Sequence, residues 1–439
     1  MRNRRQIRAP RPAAKAAPRA ERLVQIEKPI YGGSFLARDE GKAVFVPLVL
    51  PGEQARVQVV EEKAKRGYAK AELAELVTQA LERVTPRCPH FGPCGGCNYQ
   101  HATYEAQLRI KQQVLRETLA RGGVIPPDEI AVLSREPWQY RNRIRVAFDA
   151  EGNPGYRGRR SHQVVPIREC PIAAPVLVDA ALAAAQVFRK LAARNRPAEL
   201  ALFCDADGTS LLASVFAGAA TREPILDSLL REIRNLKGAE LVEQRGDDTR
   251  TIAQEGAASL AYRAGGFHYR VDHGAFFQVN RWLIDPLLQQ VAAKYEGKLA
   301  WDLFAGVGLF ARQLAGRFER VIAVESAPAA GSALAANLAG SAGEPIAMAA
   351  FDFLRRNASG PRPDLIVVDP PRTGLGPEIV AMAGRIAAPT LAYVSCDPAT
   401  LARDLRGLLE DGYAIESVTL VDLFPQTFHL ESVVHLRRS

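Results

Sequence analysis

Leu391-Ala392-Tyr393-Val394-Ser395-Cys396-Asp397-Pro398 is an apolar run that stops at a cysteine and a proline. Its first four residues read as a buried strand. Pro398 reads as the first residue of the next helix, where its missing N–H costs nothing. The same strand-then-helix unit recurs on both sides. Apolar runs fall at 299–303, 321–324, 346–349, 365–368, 391–394, 414–421 and 432–436, with helical stretches between the first six. Strict alternation of this kind predicts one doubly wound α/β domain over residues 266–439, the closing pair of strands being an antiparallel hairpin.

In an open sheet of this type ligands gather beyond the carboxyl ends of the strands, so the residues that end these runs are the candidate site. Asp302-Leu-Phe304-Ala-Gly306-Val-Gly308 follows the first strand, and its glycines let the backbone approach a ligand. Glu325 ends the second, where an acid commonly takes ribose hydroxyls. Asp352-Phe353 follows the third and offers a carboxylate and a ring to a base. Asp369-Pro370-Pro371-Arg372 closes the fourth in a turn that two prolines fix. Cys396 closes the fifth, and Glu431 opens the last. No Gly-Lys-Ser/Thr loop is present to cradle a triphosphate. A nucleoside ligand without a large phosphate is expected, S-adenosylmethionine before NAD.

A thiol, a carboxylate and a methyl donor suggest alkylation at carbon 5 of a pyrimidine. That carbon is a poor nucleophile until a thiolate adds to carbon 6 and turns the ring into an enolate. A base must then remove the carbon-5 proton so that the thiolate can leave. Cys396 is the candidate nucleophile and Glu431 the candidate base. The alternatives are a small buried hydrophobe for the cysteine and a surface carboxylate for Glu431.

Upstream, residues 81–265 read as a central α+β domain. Cys88-Pro-His-Phe-Gly-Pro-Cys94-Gly-Gly-Cys97 forms a loop able to wrap a metal centre, with Cys170, followed like Cys88 by proline, as fourth ligand. Four thiolates suit zinc or an iron–sulfur cluster, and spacing alone does not decide. Cys204, on an apolar strand, reads as structural. Arg141, Arg143 and Arg145 share one strand face, and Tyr156, Arg157, Arg159, Arg160 and His162 follow across a turn. This is a nucleic-acid patch or a solvated face. Residues 23–80 contain short strands at 23–27, 43–47, 56–60 and 70–77 between glycine-rich turns, which suggests a small closed barrel of the oligonucleotide-binding sort.

A chain of 439 residues exceeds what one core holds, in keeping with this division. Of the net charge of +9, residues 1–22 contribute +7. They are rich in Ala and Pro and read as a disordered basic tail suited to phosphates, or as a solubility tail. No apolar run reaches the ~18 residues of a membrane helix, and the N-terminus lacks the apolar core of an export signal. A cytoplasmic monomer with no membrane partner is expected.

Residues 23–439 resemble the bacterial RNA uracil-5-methyltransferases that have a TRAM domain and a [4Fe–4S] cluster, notably those modifying 23S ribosomal RNA. The resemblance rests on Cys88…Cys94-Gly-Gly-Cys97…Cys170, Phe276-Phe277-Gln278-Val279-Asn280, Asp369-Pro-Pro-Arg372, Ser395-Cys396 and His429-Leu-Glu431. It implies iron–sulfur rather than zinc, and a TRAM barrel before a class I methyltransferase domain. Gln278, Phe304, Gly306, Gly308, Glu325, Asp352 and Asp369 are then expected around S-adenosylmethionine. It also implies that residues 104–122 belong with the catalytic domain in space. The same reaction on tRNA or another ribosomal uridine, and a non-catalytic RNA-binding assembly factor, are the alternatives. Two positions depart from the family: Asp397 stands where Asn is usual, and Leu309 where Asn is common. An ionised, unpaired Asp397 would raise the pKa of the adjacent thiol.

Overall fold

The structure, a computed structural model, describes residues 21–218, 224–245 and 248–438. The tail expected over residues 1–22 lies outside the described residues except for Glu21 and Arg22, which begin a strand instead. Internal contacts divide the chain into two units, Met1–Arg83 and Val84–Ser439.

In the first unit β1 (Glu21–Pro29), β2 (Ser34–Asp39), β3 (Lys42–Pro47), β4 (Gln54–Lys63) and β5 (Tyr68–Thr78) close a barrel in the order β1-β2-β3-β5-β4. Period-two alternation drives the closure: Val44 and Val46 of β3 point inward and are fully buried. Glu40 and Gly41, at φ 47° and 79°, join β2 to β3. Both residues are left-handed, as a two-residue hairpin loop matching strand twist requires. The buried Glu53 carboxylate accepts from Arg83 at 2.7 Å and from the N–H groups of Leu50 and Ala80 at 2.7 and 3.2 Å.

The second unit opens with α1 (Tyr104–Arg121), capped by the Thr103 side chain, and the short strand β6 (Ala131–Leu133). A seven-stranded sheet follows. Its strands are β7 (Arg143–Phe148), β8 (Pro154–Arg157), β9 (Val164–Pro166), β10 (Glu199–Cys204), β11 (Leu211–Ala217), β12 (Leu236–Arg245) and β13 (Asp248–Gly256), in the order β13-β12-β11-β10-β7-β8-β9. Helices α2 (Pro175–Arg189) and α3 (Ile225–Glu232) bury their apolar faces on it. The boundary expected between residues 265 and 266 falls inside a hairpin of β14 (Ser259–Ala264) and β15 (Phe267–Asp272). The hairpin's inward side chains, Leu260, Tyr262, Tyr269 and Val271, belong to the core beneath the C-terminal sheet.

The C-terminal sheet adds α4 (Ile284–Ala292), β16 (Gly297–Leu303), α5 (Leu309–Leu314), β17 (Phe318–Glu325), α6 (Pro328–Leu338), β18 (Gly343–Ala347), α7 (Ala350–Asn357), β19 (Leu365–Val368), α8 (Gly376–Ile386), β20 (Thr390–Ser395), α9 (Pro398–Glu410), β21 (Tyr413–Val421) and β22 (Glu431–Arg438). Its order is β18-β17-β16-β19-β20-β22-β21-β6, with β22 antiparallel between β20 and β21. Two differences from the expected pattern matter. The third strand ends at Ala347, so Asp352 lies in the first turn of α7 rather than at a strand end. An eighth strand, β6, pairs parallel with β21; three residues are too few to announce a strand in the sequence. No helix among the described residues is long and apolar enough to cross a membrane.

Candidate active site

The register of the last strands brings the reactive residues together. β20 and β22 pair through Ser395 and Ser432, so the next step of the ladder sets Cys396 opposite Glu431. β19 runs parallel to β20, with Val368 beside Tyr393, which puts Asp369 on the same rim. Gln278 Nε2 donates to Asp369 Oδ2 at 3.3 Å. Gln278 is itself fixed by the buried Asn142, which donates to its carbonyl at 2.8 Å.

Charge is crowded here. Burial, then Glu431 and Asp369, push the half-buried Cys396 thiol up to about 12, with Arg372 acting against them. Burial and then Asp369 raise the Glu431 carboxyl well above the usual range. Burial raises Asp369 to about 7. The Asp397 side chain has hydrogen-bond partners of its own. Its carboxylate caps α9, accepting from the N–H groups of Ala399 and Thr400 at 2.9 and 3.0 Å, where a helix N-terminus favours negative charge. The condition under which it would disturb Cys396 is therefore not met.

The glycine loop after β16 holds Phe304, Gly306 and Gly308 at φ 65°, 55° and 87°. A Cβ on Gly306 would meet nothing within 4 Å, so space lies open above it. Gly306 N–H donates to Glu325 Oε2 at 2.8 Å, and the other oxygen of Glu325 accepts from Ala327 at 2.6 Å. Asp302 is fully buried; Oδ2 accepts from Ala311 N–H at 2.8 Å, and Oδ1 has no partner among the described residues. Burial, with Asp369 and Glu325 adding to it, lifts its pKa to about 8. Leu309 opens α5 and its carbonyl accepts from the Tyr269 hydroxyl at 3.1 Å. Asp352 pairs with Arg355 at 3.4 Å.

Cys88, Cys94, Cys97 and Cys170 line one cavity of about 240 Å³, with Arg141 and Tyr156 on its wall. Gly95 is required there, since a Cβ would come within 2.9 Å of the Arg157 carbonyl. No group of three or more His, Cys, Asp or Glu among the described residues is arranged to hold a single metal ion. Burial and then the neighbouring thiols raise the pKa of Cys88 and Cys94, and take Cys97 to about 12. Cys204 is buried in β10.

The arginine face is less open than its sequence suggests. Arg145 and Arg157 both pair with Glu199, at 2.6 and 3.2 Å. Arg143 lies over the Phe203 ring at 4.9 Å. Two tryptophans form a second surface: Trp282 Nε1 donates to the Trp138 carbonyl at 3.0 Å, and Arg281 and Arg87 lie over the two rings at 4.1 and 5.1 Å.

Sequence reasoning missed the contacts that hold the start of the loop between β21 and β22. Lys111 of α1 is buried against Asp422 Oδ1 at 2.5 Å, and Tyr104 donates to Asp422 Oδ2 at 2.8 Å. Asn280 donates to the Leu423 carbonyl at 3.2 Å. The only signals were a lysine on the apolar side of a helix and the Asn of Phe276–Asn280.

Comparison with known proteins bears on this geometry. The family profile described as tRNA (Uracil-5-)-methyltransferase matches residues 362–439, the segment that carries Asp369, Cys396 and Glu431, and the TRAM domain profile matches residues 15–74. An RNA methyltransferase of Streptomyces avermitilis is 34% identical, covering 94% of this chain and 97% of its own. The 23S rRNA (uracil(1939)-C(5))-methyltransferase RlmD of Chromohalobacter salexigens is 32% identical over 94% of this chain and 89% of its own. The chain belongs to the RNA uracil-5-methyltransferases. The fold agrees with that family: the Pyrococcus abyssi tRNA (uracil-54, C5)-methyltransferase, solved with S-adenosyl-L-homocysteine, superposes with a TM-score of 0.76. That likeness covers 94% of this chain and 100% of the other at 23% identity.

Proposed function

We propose that the protein methylates carbon 5 of a uridine in 23S ribosomal RNA, with Cys396 as nucleophile and Glu431 as base. The observation that carries this reading is the strand register that sets these two residues side by side on the rim, next to Asp369. The substrate is supported by RlmD relatives, that of Chromohalobacter salexigens and one from Shewanella at 32% identity.

The target uridine has to leave its stack, because a stacked base hides carbon 6. Cys396, having lost its thiol proton to solvent, adds as the thiolate through Sγ to carbon 6, and the ring electrons move onto oxygen 4. Carbon 5 then takes the methyl group, whose bond to sulfur breaks. Glu431 removes the carbon-5 proton, the 5,6 double bond re-forms, and the bond from Cys396 to carbon 6 breaks to return the thiolate. A carboxyl with a raised pKa suits that last step, since it is a stronger base near neutral pH. S-adenosylmethionine supplies the methyl group; the open space over Gly306 and the unpaired Asp302 oxygen fit a ligand there. Gln278, Phe304, Gly306, Gly308, Glu325, Asp352 and Asp369 are its proposed surroundings.

Cys88, Cys94, Cys97 and Cys170 are the proposed ligands of a [4Fe–4S] cluster. Four thiols lining one shared cavity support a common centre for them, and the family resemblance favours iron–sulfur over zinc. Thiols that burial keeps protonated become thiolates when a cation sits among them. Such a cluster would join the loop of residues 88–97 to Cys170, far away in sequence.

The test is incubation with 23S rRNA fragments carrying 5-fluorouridine. Fluorine cannot leave as a proton, so Cys396 should remain in a denaturant-stable adduct, and Cys396→Ala should form none. An adduct from that variant would refute the nucleophile. Protein purified without oxygen should contain four irons per chain; a colourless zinc protein would refute the cluster.

A further inference from the structure

The loop between β21 and β22 delivers Glu431 to the rim, and at its middle stands Gln426. This residue is 2% exposed and has φ 68°, a left-handed conformation that a side chain other than glycine adopts at a cost. Something must hold it there. The N–H groups of Asn98 and Tyr99 both donate to the Gln426 carbonyl, at 2.9 and 3.0 Å. Asn98 Oδ1 accepts from Phe428 N–H at 3.4 Å. Gln107 of α1 accepts from Gln426 N–H at 3.0 Å and donates to its side-chain oxygen at 2.9 Å. Asn98 and Tyr99 directly follow Cys97, and Gln100 in the same turn accepts from Cys88 N–H at 3.0 Å. The turn therefore has the cysteine cavity on one side and the Glu431 loop on the other.

We infer that the turn Cys97–Gln100, with Gln107, positions the base: ordering of the cysteine loop is transmitted through Asn98 and Tyr99 to Gln426 and so to Glu431. The inference rests on the proposed roles of Glu431 and the four cysteines. Asn98, Gln107 and Gln426 are positioning residues, and they act on one step of the reaction, the removal of the carbon-5 proton. Addition of Cys396 and transfer of the methyl group precede that step and depend on β20, which none of these bonds touches.

The double variant Asn98→Ala, Gln107→Leu separates the steps. With 5-fluorouridine RNA the variant holoprotein should form its adduct at the wild-type rate. With ordinary RNA it should turn over about tenfold to a thousandfold more slowly, the equivalent of three lost hydrogen bonds to the loop, while a methylated, denaturant-stable adduct accumulates. Equal slowing of both steps, or no slowing of either, overturns the inference. Glu431→Gln is the control: if it fails to accumulate adduct on ordinary RNA, the assignment of the base fails instead. A second measurement needs no variant. Hydrogen exchange at Asn98, Tyr99, Gln426 and Phe428 should quicken when the cluster is extracted from the protein without oxygen, while the amides of β19 and β20 stay protected. Unchanged exchange at those four amides, or a rise across the whole unit, overturns it.

Discussion

Glu431→Gln should drive two steps of one reaction in opposite directions. Neighbouring positions on adjacent antiparallel strands stand ~5 Å apart, and the register makes Cys396 and Glu431 such neighbours. At about that separation and an effective dielectric of ~20, one unit charge shifts its neighbour by about 3 kcal/mol, or about two pKa units. This is the most the ionised glutamate contributes to holding the Cys396 thiol at about 12. Removing it should move the pH profile of adduct formation with 5-fluorouridine RNA to lower pH by up to about two units. Turnover on ordinary RNA should fall by about 10²–10⁴, the usual worth of a general base. Quenched-flow gels resolve adduct and product in the same time course. A profile that moves to higher pH, or turnover within tenfold of wild type, refutes the electrostatic argument and the assignment of the base together.

Other consequences are open to direct measurement. Asp302 holds its proton up to about pH 8 in the folded protein but only to ~3.9 when unfolded, so its contribution to stability is complete below pH 4 and disappears as pH rises towards 8. Asp302→Asn should therefore raise Tm more at pH 8 than at pH 5 in calorimetry, while weakening retention of S-adenosylmethionine. Lys111→Met leaves Asp422 buried without its cation, and chemical denaturation should show a loss of about 3–5 kcal/mol. Trp282→Ala removes an exposed ring beside Arg281; a stacked base is worth about 1–3 kcal/mol, so filter binding should show a weaker Kd for RNA with an unchanged adduct rate at saturating RNA. Gly306→Ala forces a side chain into a left-handed position, so it should cost about 1–2 kcal/mol of stability, seen as a lower Tm, and raise KM for S-adenosylmethionine.

Much of the site could be read directly because parallel strands end where ligands bind, and the residues that end them stand at predictable places. Asp302, Glu325, Asp369 and Cys396 were singled out this way as candidates, and the structure has each at or next to a strand end. Glu431 was proposed from its chemistry, since an antiparallel strand enters the rim from the other direction. What escaped notice lacked periodicity. The strand β2 is short, β13 is mostly polar, and β6 has three residues. The arginine face obeyed its alternation, but pairing with Glu199 across a neighbouring strand is set by tertiary register. Gln107, Lys111 and Gln426 are ordinary letters in a helix and a loop, and only the fold brings them together.

The short strand β6 also bears on how the polypeptide can be divided. It finishes the outer edge of the C-terminal sheet beside β21, and α1 packs against α9 on the way to it. A piece beginning at residue 266 would leave β21 with unpaired N–H and C=O groups, a template for joining other chains. It would also lack β14, whose Leu260 and Tyr262 help fill the space beneath the sheet, and would leave β15 without its partner strand. Recombinant pieces of this enzyme should therefore be cut near residue 84, and a methyltransferase half excised further along should be recovered as aggregate.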